Sequence, residues 1–573
     1  MRPSSILIAC FSGVLNLPFL ACADDAIEAN SNQEVLESWQ KQSGQSATIV
    51  NNSNGPTLEW HGQVTEDLYT VDTSNDSDEF ALSGLQEGTF SLTTLQGDLR
   101  STTEAGDINY IQGGVSLTRD RAKQTLYSSQ MTNLQFGRAG QGYQISGGDI
   151  VADFSRIGSN LGLRGVYSAK QLNATTLYGF AGVVSDSWES LFNRHTLTNQ
   201  PARSRYLRDA VGGKIDYKLN ESWNVFGTAQ TYSDRRSSLA NARAIGQASQ
   251  SGSTGTVGLG YRTLQSNFSV EVGTSRNGVD TAAAGDTLTD KALLVDMGYA
   301  WQTLNLHAGY HNIGLNYTSL AQNVVPGIRE SFVGGDWFIT PNLSYSNDIR
   351  RSEMRTVNFF DQNDTLNLVD TLVNRLNYNV TALPGLNIGL QDMRNWGKVE
   401  ANTSRNNMTQ LNIFYSTQHY SSGLTLSNAR QRTNTNPLSN STTDGVQVTL
   451  GRQILPGELI AFPSISGGIQ FNGGYQQQRI ANNTETTSGT QGVSVNVQSV
   501  KLGQLMFSIM NVDTRQPTAK AVLNTKVVNL DWTKVISDAL AFRAYIRNNF
   551  INHGDRLQTF DEKIVGAQLD YQW

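Results

Sequence analysis

The stretch Val565-Gly566-Ala567-Gln568-Leu569-Asp570-Tyr571-Gln572-Trp573 decides the fold. Val565, Ala567, Leu569, Tyr571 and Trp573 are apolar or aromatic, and the residues between them are small or polar. Successive side chains of a strand point to opposite faces, so this alternation separates a greasy face from a wet one. With an aromatic at its end, such a strand reads as one stave of a closed barrel that crosses a bilayer.

The same grammar runs upstream. Val211, Gly213, Ile215, Tyr217 and Leu219 alternate with Gly212, Lys214, Asp216 and Lys218, and Asn220-Glu221 turns the chain into Trp223, Val225, Gly227 and Ala229. Leu293, Val295, Met297, Tyr299 and Trp301 reach a turn at Gln302-Thr303, followed by Leu304, Leu306, Ala308 and Tyr310. Pro384-Gly385 joins two further segments, and Val528, Leu530 and Trp532 precede Leu540, Phe542, Ala544 and Ile546. Counting such segments predicts an all-β fold: a large antiparallel transmembrane β-barrel of roughly 22–26 strands. Short periplasmic turns would carry an aromatic girdle at Trp223, Trp301, Trp337, Trp532 and Trp573. The polar stretches Ser187–Tyr206, Ser233–Ser253, Thr318–Glu330, Asp361–Thr371 and Gln431–Asp444 are expected as extracellular loops.

Met1-Arg2, the apolar run Ile6 to Leu20 and Ala21-Cys22-Ala23 read as a secretory signal peptide over residues 1–23. Cleavage there would remove both cysteines, Cys10 and Cys22, and exclude disulfide and thiolate chemistry. Residues 24–56 read as a partly disordered periplasmic lead-in. Residues 57–158, whose alternation is weaker, are expected as the first barrel strands, with a plug or small β-domain as the alternative, and 159–573 as the barrel proper. The chain of 573 residues has 16% charged residues, 53 glycines against 11 prolines and a mean hydropathy of -0.36. A barrel averages to mild hydrophilicity because each lipid-facing residue is followed by a lumen-facing one. After the first segment, no run approaches the roughly 18 apolar residues of a membrane helix. The net charge of -6 offers no basic footprint for nucleic acid.

Alternation assigns Lys214, Asp216, Lys218, Arg262, Glu271, Asp296, His307, His311, Asp336, Asp531, Arg543 and Arg547 to the lumen, with Asn377, Asn379, Asn387 and Asn529. Both signs are present, which predicts a wide, wet, weakly selective interior in place of a one-sign filter. The pairs Arg543/Arg547 and Lys214/Lys218 are the candidate anion-attracting strip. His307 and His311 fall about 13 Å apart on one strand face, too far to share a metal ion. The loop histidines His195 and His553, the latter near Asp555, lack an identifiable nucleophile, so no enzymatic activity, metal or cofactor is expected.

The glycine-rich passage Gly147–Gly165 is the most motif-like segment of the chain. Its glycines permit tight bends, and Asp149, Asp153, Arg156 and Arg164 are candidates for a constriction element. It lacks the Gly-Lys-Ser/Thr ending of a phosphate loop.

Taken together, the signal peptide, the cysteine-free remainder, the hairpin series and the final Tyr571-Gln572-Trp573 resemble Gram-negative outer-membrane β-barrel proteins. That resemblance implies an outer-membrane location in contact with its lipid. It also implies that Tyr571 and Trp573 serve as an assembly signal for the barrel-insertion machinery. TonB-dependent receptors share a large barrel, and Ala47-Thr48-Ile49-Val50 is similar to their energy-coupling box, but the plug motifs are missing. Usher-type secretion pores also share the large barrel, although flanking periplasmic domains on their scale do not fit here. The function expected first is porin-like passive transport of polar solutes. The alternatives are an export barrel for a polysaccharide or protein fibre working with periplasmic partners, and a structural or adhesive surface barrel. A strand count at the upper end favours export, because so wide an ungated pore compromises the membrane.

Overall fold

The structure is a computed structural model. It describes residues 56–74, 87–120, 128–185, 188, 191, 206–238, 249–279, 287–321, 324–357, 364–458, 464–481, 484–516, 521–552 and 560–573. The expected signal peptide and nearly all of the lead-in lie outside these residues, as do His195, His553 and Asp555.

The first quarter of the wall contains β1 (Thr57–Ser74), β2 (Gly88–Thr102), β3 (Ile108–Thr118), β4 (Ser129–Gly140), β5 (Tyr143–Asp153), β6 (Ser159–Leu172) and β7 (Thr175–Val184). Next come β8 (Arg208–Lys218), β9 (Trp223–Asp234), β10 (Gln250–Arg262), β11 (Ser266–Val279), β12 (Thr287–Ala300) and β13 (Leu304–Ile313). The two-residue β14 (Leu320–Ala321) stands off the wall and precedes β15 (Ile328–Thr340), β16 (Leu343–Val357), β17 (Asp364–Asn379), β18 (Leu386–Val399), β19 (Asn402–Ser416) and β20 (Tyr420–Thr433). The last group is β21 (Ser441–Ile454), β22 (Ile465–Ile480), β23 (Glu485–Ser499), β24 (Gly503–Gln516), β25 (Ala521–Ser537), β26 (Leu540–Asn552) and β27 (Phe560–Gln572).

Each wall strand pairs antiparallel with the next, β13 pairs directly with β15, and β27 pairs back onto β1, so 26 strands close on themselves. Closure removes the free edge whose unpaired N–H and C=O groups no bilayer can hydrate. At the seam, Gly62 and Trp573 exchange two backbone hydrogen bonds, both 3.0 Å. A Cβ on Gly62 would overlap the Trp573 indole. Trp60 packs on the same indole with ring centroids 5.9 Å apart.

The connections 141–142, 173–174, 341–342 and 538–539 are short and share one rim, while those at the opposite rim are longer on average. Trp60, Trp223, Trp301, Trp337, Trp532 and Trp573 all lie toward the short-turn rim. Exposed Ile215, Val257, Val272, Met297, Leu306, Val333, Ile349, Leu390, Leu450, Ile546, Val565 and Leu569 face outward around the wall, the band that a bilayer would cover. Two expected loops prove to be strand for half of their length or more. β17 begins at Asp364 inside the stretch Asp361–Thr371, and β20 and β21 take both ends of Gln431–Asp444. Their polar composition reflects strands that continue past the apolar band.

The largest buried apolar clusters lie inside the barrel, where one hairpin leaves the wall. β4 pairs with β5 only from Gln135 to Gly140. At Gly148 the backbone adopts φ +98°, a conformation open to glycine and closed to a side chain that would meet the Leu134 carbonyl. Beyond it, the arms Asp149–Asp153 and Asn160–Arg164 pair with each other and run into the lumen.

Candidate functional site: the lumen and its inward hairpin

Departure of β5 from the wall orphans the Leu134 amide, and the structure repairs this with a side chain. The Asp149 carboxylate accepts hydrogen bonds from the Leu134 N–H (2.7 Å) and the Trp188 indole N–H (2.8 Å). Arg164 lies 3.3 Å from the same carboxylate and donates to the Ser185 carbonyl. Asp149 and Arg164 thus sit at the root of the hairpin. Asp153 lies on its arm within electrostatic reach of Lys214.

Apolar contacts seat the arms. Ile150, Ala152, Phe154, Leu161 and Leu163 are buried against Tyr167, Phe180, Ala210 and Tyr232 of β6 to β9. Phe154 meets Phe180 edge-on at 5.1 Å. At the tip, Ile157 is 0% exposed among Ala292, Leu294, Ile313 and Tyr317.

Polar groups fix the tip to the wall. The buried Glu271 carboxylate of β11 accepts from the Ser155 hydroxyl and from the Arg156 N–H at 3.2 Å. Thr256 donates to Ser155 at 3.1 Å, and Gln230 donates to the Gly158 carbonyl. Arg156 pairs with Asp296, which also holds His311 Nε2 at 2.9 Å. The opposite imidazole nitrogen stands 3.6 Å from Glu330, and Arg350 lies 3.5 Å from the same carboxylate. The connection after β13 folds over the tip: Tyr317 donates to the Ile157 carbonyl at 3.1 Å, and β14 pairs parallel with β6 at Ser159–Asn160. A buried charge such as Glu271 is tolerable only when paired or hydrogen-bonded, so this network belongs to the docked hairpin.

The other lumen candidates divide between partners. Lys214 lies 3.3 Å from Asp216, with its ammonium over the Phe226 ring at 4.8 Å, and His307 meets Asp348 at 2.8 Å. Arg543 donates to Asp531 at 2.8 Å. Arg543 and Arg547 flank the Tyr545 ring, each 5.2 Å away, and Tyr545 donates to Asp67 at 2.8 Å. Lys218, Arg262 and Asp336 occupy inward positions toward the short-turn rim of β8, β10 and β15. Neither proposed cationic strip stands unopposed, since Asp216 and Asp531 neutralise one member of each pair.

Sequence reading selected charges and missed a sector defined by their absence. From β18 to β24 the inward positions carry amides, hydroxyls, glycines and a few apolar residues, with no Asp, Glu, Lys, Arg or His among the described residues. Asn412 accepts from Gln410 (2.8 Å) and Thr425 (2.9 Å), and Gln470 donates to Asn472 at 3.2 Å. Period-two reading of Gln447, Thr449, Gln470, Asn472, Thr490, Ser494 and Asn496 would have exposed this uncharged wall. Glu330, Arg350 and Tyr317 were also missed, because their roles arise only when the hairpin reaches them.

A scan of protein-family models and a search of curated proteins returned no match. Among solved structures, the P pilus usher (PapC) translocation pore is similar at 10% identity, covering 90% of this chain and 99% of that one, with a TM-score of 0.37. Pseudomonas aeruginosa OccK3 (OpdO) is 13% identical over 65% of this chain and 96% of its own, with a TM-score of 0.31. Salmonella typhi OmpF in complex with daunomycin is 13% identical over 52% and 90%, with a TM-score of 0.28. Likenesses this distant leave the assignment of a closed barrel to the strand pairing itself.

Proposed function

We propose that this barrel is an outer-membrane conduit of large bore, and that it exports an uncharged polar polymer, a polysaccharide or an amide- and hydroxyl-rich protein fibre. The observation that carries the reading is the inward face of β18 to β24, seven adjacent strands whose inward positions carry no charged side chain among the described residues. A moving hydroxyl-rich polymer exchanges hydrogen bonds with water along such a wall and meets no fixed charge that would hold it. Bore size supports the same cargo. Twenty-six strands spaced about 4.8 Å and tilted about 40° enclose a backbone circle on the order of 50 Å across, wider than a solute channel needs.

The hairpin supports a second reading. It narrows the β5 to β13 flank, and if the remaining lumen is filled in the membrane, the protein acts as a passive channel for small polar solutes. Export further proposes periplasmic partners that deliver the polymer, and both readings propose that Tyr571 and Trp573 guide insertion by the assembly machinery. Proteoliposomes containing the purified barrel discriminate the two. Export predicts efflux of neutral dextran oligomers too large for a solute channel. Permeation by small sugars alone supports the passive channel, and no permeation by either class refutes an open conduit.

A further inference from the structure

The outer surface of β18 to β22 carries a concentration of arginine that a lumen-centred reading leaves unused. Leu390, Leu411, Leu426, Val446 and Tyr475 form an outward row across these strands, the last apolar row before the long-loop rim. Two residues further along each strand the row is polar. Beyond it, Arg394 of β18, Arg430 of β20 and Arg479 of β22 fall on one row, separated by Asn407 and Thr442. One row higher, Arg405 and Arg432 are directly opposed across β19 and β20. All five are exposed.

Opposed like charges in an antiparallel pair lie about 5 Å apart at Cβ and destabilise it. The cost calls for a counter-charge, and the neighbouring acids are engaged elsewhere. Asp392 is bound by Arg394 at 2.8 Å, and Asp370 by Arg351 at 3.8 Å. Gln477 binds Glu485, and Asn428 donates to Asp444 at 2.6 Å. Among the described residues, no acidic group lies within ion-pair distance of Arg405, Arg430, Arg432 or Arg479. Arg405 rests over Trp396 at 5.8 Å, leaving its outer N–H groups free to bind. Arg405, Arg432, Lys398 and Trp396, with the Arg351-bound Asp370 on the β17 side, line a groove of about 620 Å³ that opens beneath the β18–β19 and β20–β21 connections.

Height identifies the occupant. Arg430 lies four residues beyond Leu426 and Arg432 six, about 13 and about 20 Å along the strand, or about 10 and about 15 Å along the barrel axis at a 40° tilt. Long arginine stems reach back toward the bilayer, which sets the guanidiniums in the headgroup layer outside the hydrocarbon, and Trp396 shares the Arg405 row. Guanidinium favours phosphate through paired N–H donors in a planar fork.

We propose that this surface binds the phosphate groups of an anionic lipid headgroup in the leaflet at the long-loop rim, with Arg405 and Arg432 as its centre and Lys398, Arg430 and Arg479 around them. The proposal rests on the membrane reading of the barrel but not on what the lumen carries. Its test uses the full-length protein in detergent, incubated with diphosphoryl lipid A or with phosphatidylcholine and examined by native mass spectrometry. Wild type is expected to retain lipid A preferentially. In Arg405→Ser with Arg432→Ser, two lost cations at roughly fivefold each reduce retention about thirtyfold, while heat-modifiable mobility and bilayer conductance stay at wild-type level. Lys563→Ser, which alters a cation on the outward face near the seam, leaves retention unchanged. Equal retention by wild type and the double variant overturns the proposal, as does equal binding of phosphatidylcholine. A dimer abolished by the double substitution also overturns it, in favour of a second copy as occupant. Binding of inorganic phosphate without lipid A would show the charge to be read but the lipid assignment to be wrong.

Discussion

Replacing Ile157 and Arg156 together with alanine should release the hairpin tip into the lumen. Ile157 is fully buried among Ala292, Leu294, Ile313 and Tyr317, and truncating such a residue costs about 2–5 kcal/mol. Arg156 is 36% exposed and pairs with Asp296, which keeps His311 when the guanidinium is removed. Solvent-screened, its loss adds no more than about 1 kcal/mol. With about 2 kcal/mol as the lower bound, and 1.4 kcal/mol per decade, the undocked population rises at least about thirtyfold. A thiol at Ser159, a position that is 0% exposed when docked, reports that population through its rate of maleimide labelling. The rate at Ser159→Cys should rise at least about thirtyfold in the double-alanine background, while Ser494→Cys on the uncharged wall labels at an unchanged rate. Equal labelling of Ser159→Cys in both backgrounds would refute the docking energetics. A parallel rise at Ser494→Cys would mean that the whole barrel had loosened.

Three further outcomes follow from the wall. Leu530→Arg aims a charge at lipid and should cost about 2–4 kcal/mol near the midplane, whereas Asn529→Arg faces the lumen and should fold; urea titration in lipid vesicles separates them. Gly62→Val places a side chain where the Trp573 indole lies, so the seam should open and the heat-modifiable band weaken on semi-native gels, with Gly97→Val as a milder control on β2. The Arg138 guanidinium (2.6 Å) and the Tyr143 hydroxyl (2.8 Å) hold the Asp107 carboxyl below the usual carboxylate range in the turn after β2. A depressed folded value stabilises above the unfolded pKa of about 4 and is lost as pH falls below it. Protection from hydrogen exchange in residues 103–107, taken against the intrinsic rate at each pH, should therefore fall in that acid window, and Asp107→Asn should remove that change in protection.

The wall was legible because its physics is local. From β6 onward, alternation gave the strands, turns at 302–303 and 384–385 fell where expected, and Gly147–Gly165 stood out through its glycines and paired charges. What was illegible depends on distant contacts or on both faces at once. Nothing adjacent to Arg156 in sequence points to Asp296, and Glu271 reads as an ordinary lumen acid until Ser155 reaches it. Asp361–Thr371 looked like a loop because Asp364 and Asp370 interrupt the apolar pattern, although Leu366 and Leu368 keep the outward register of β17. The uncharged sector escaped attention because a search for chemistry selects charged residues, and here the information lies in Gln447, Thr449 and their neighbours.

Polymer-exclusion sizing of single channels in planar bilayers tests the central claim most directly. Conductance of the wild-type barrel, recorded in neutral polyethylene glycols of increasing mass, should remain sensitive to polymers larger than those that enter 16- to 18-stranded porins. Reversal potentials in a salt gradient should lie near zero, as an uncharged wall of seven strands from β18 to β24 requires. Polymer cut-off at ordinary porin size, strong selectivity for one ion sign, or a bilayer that stays silent both for wild type and after deletion of Asp149–Ser159 would contradict a wide, uncharged conduit.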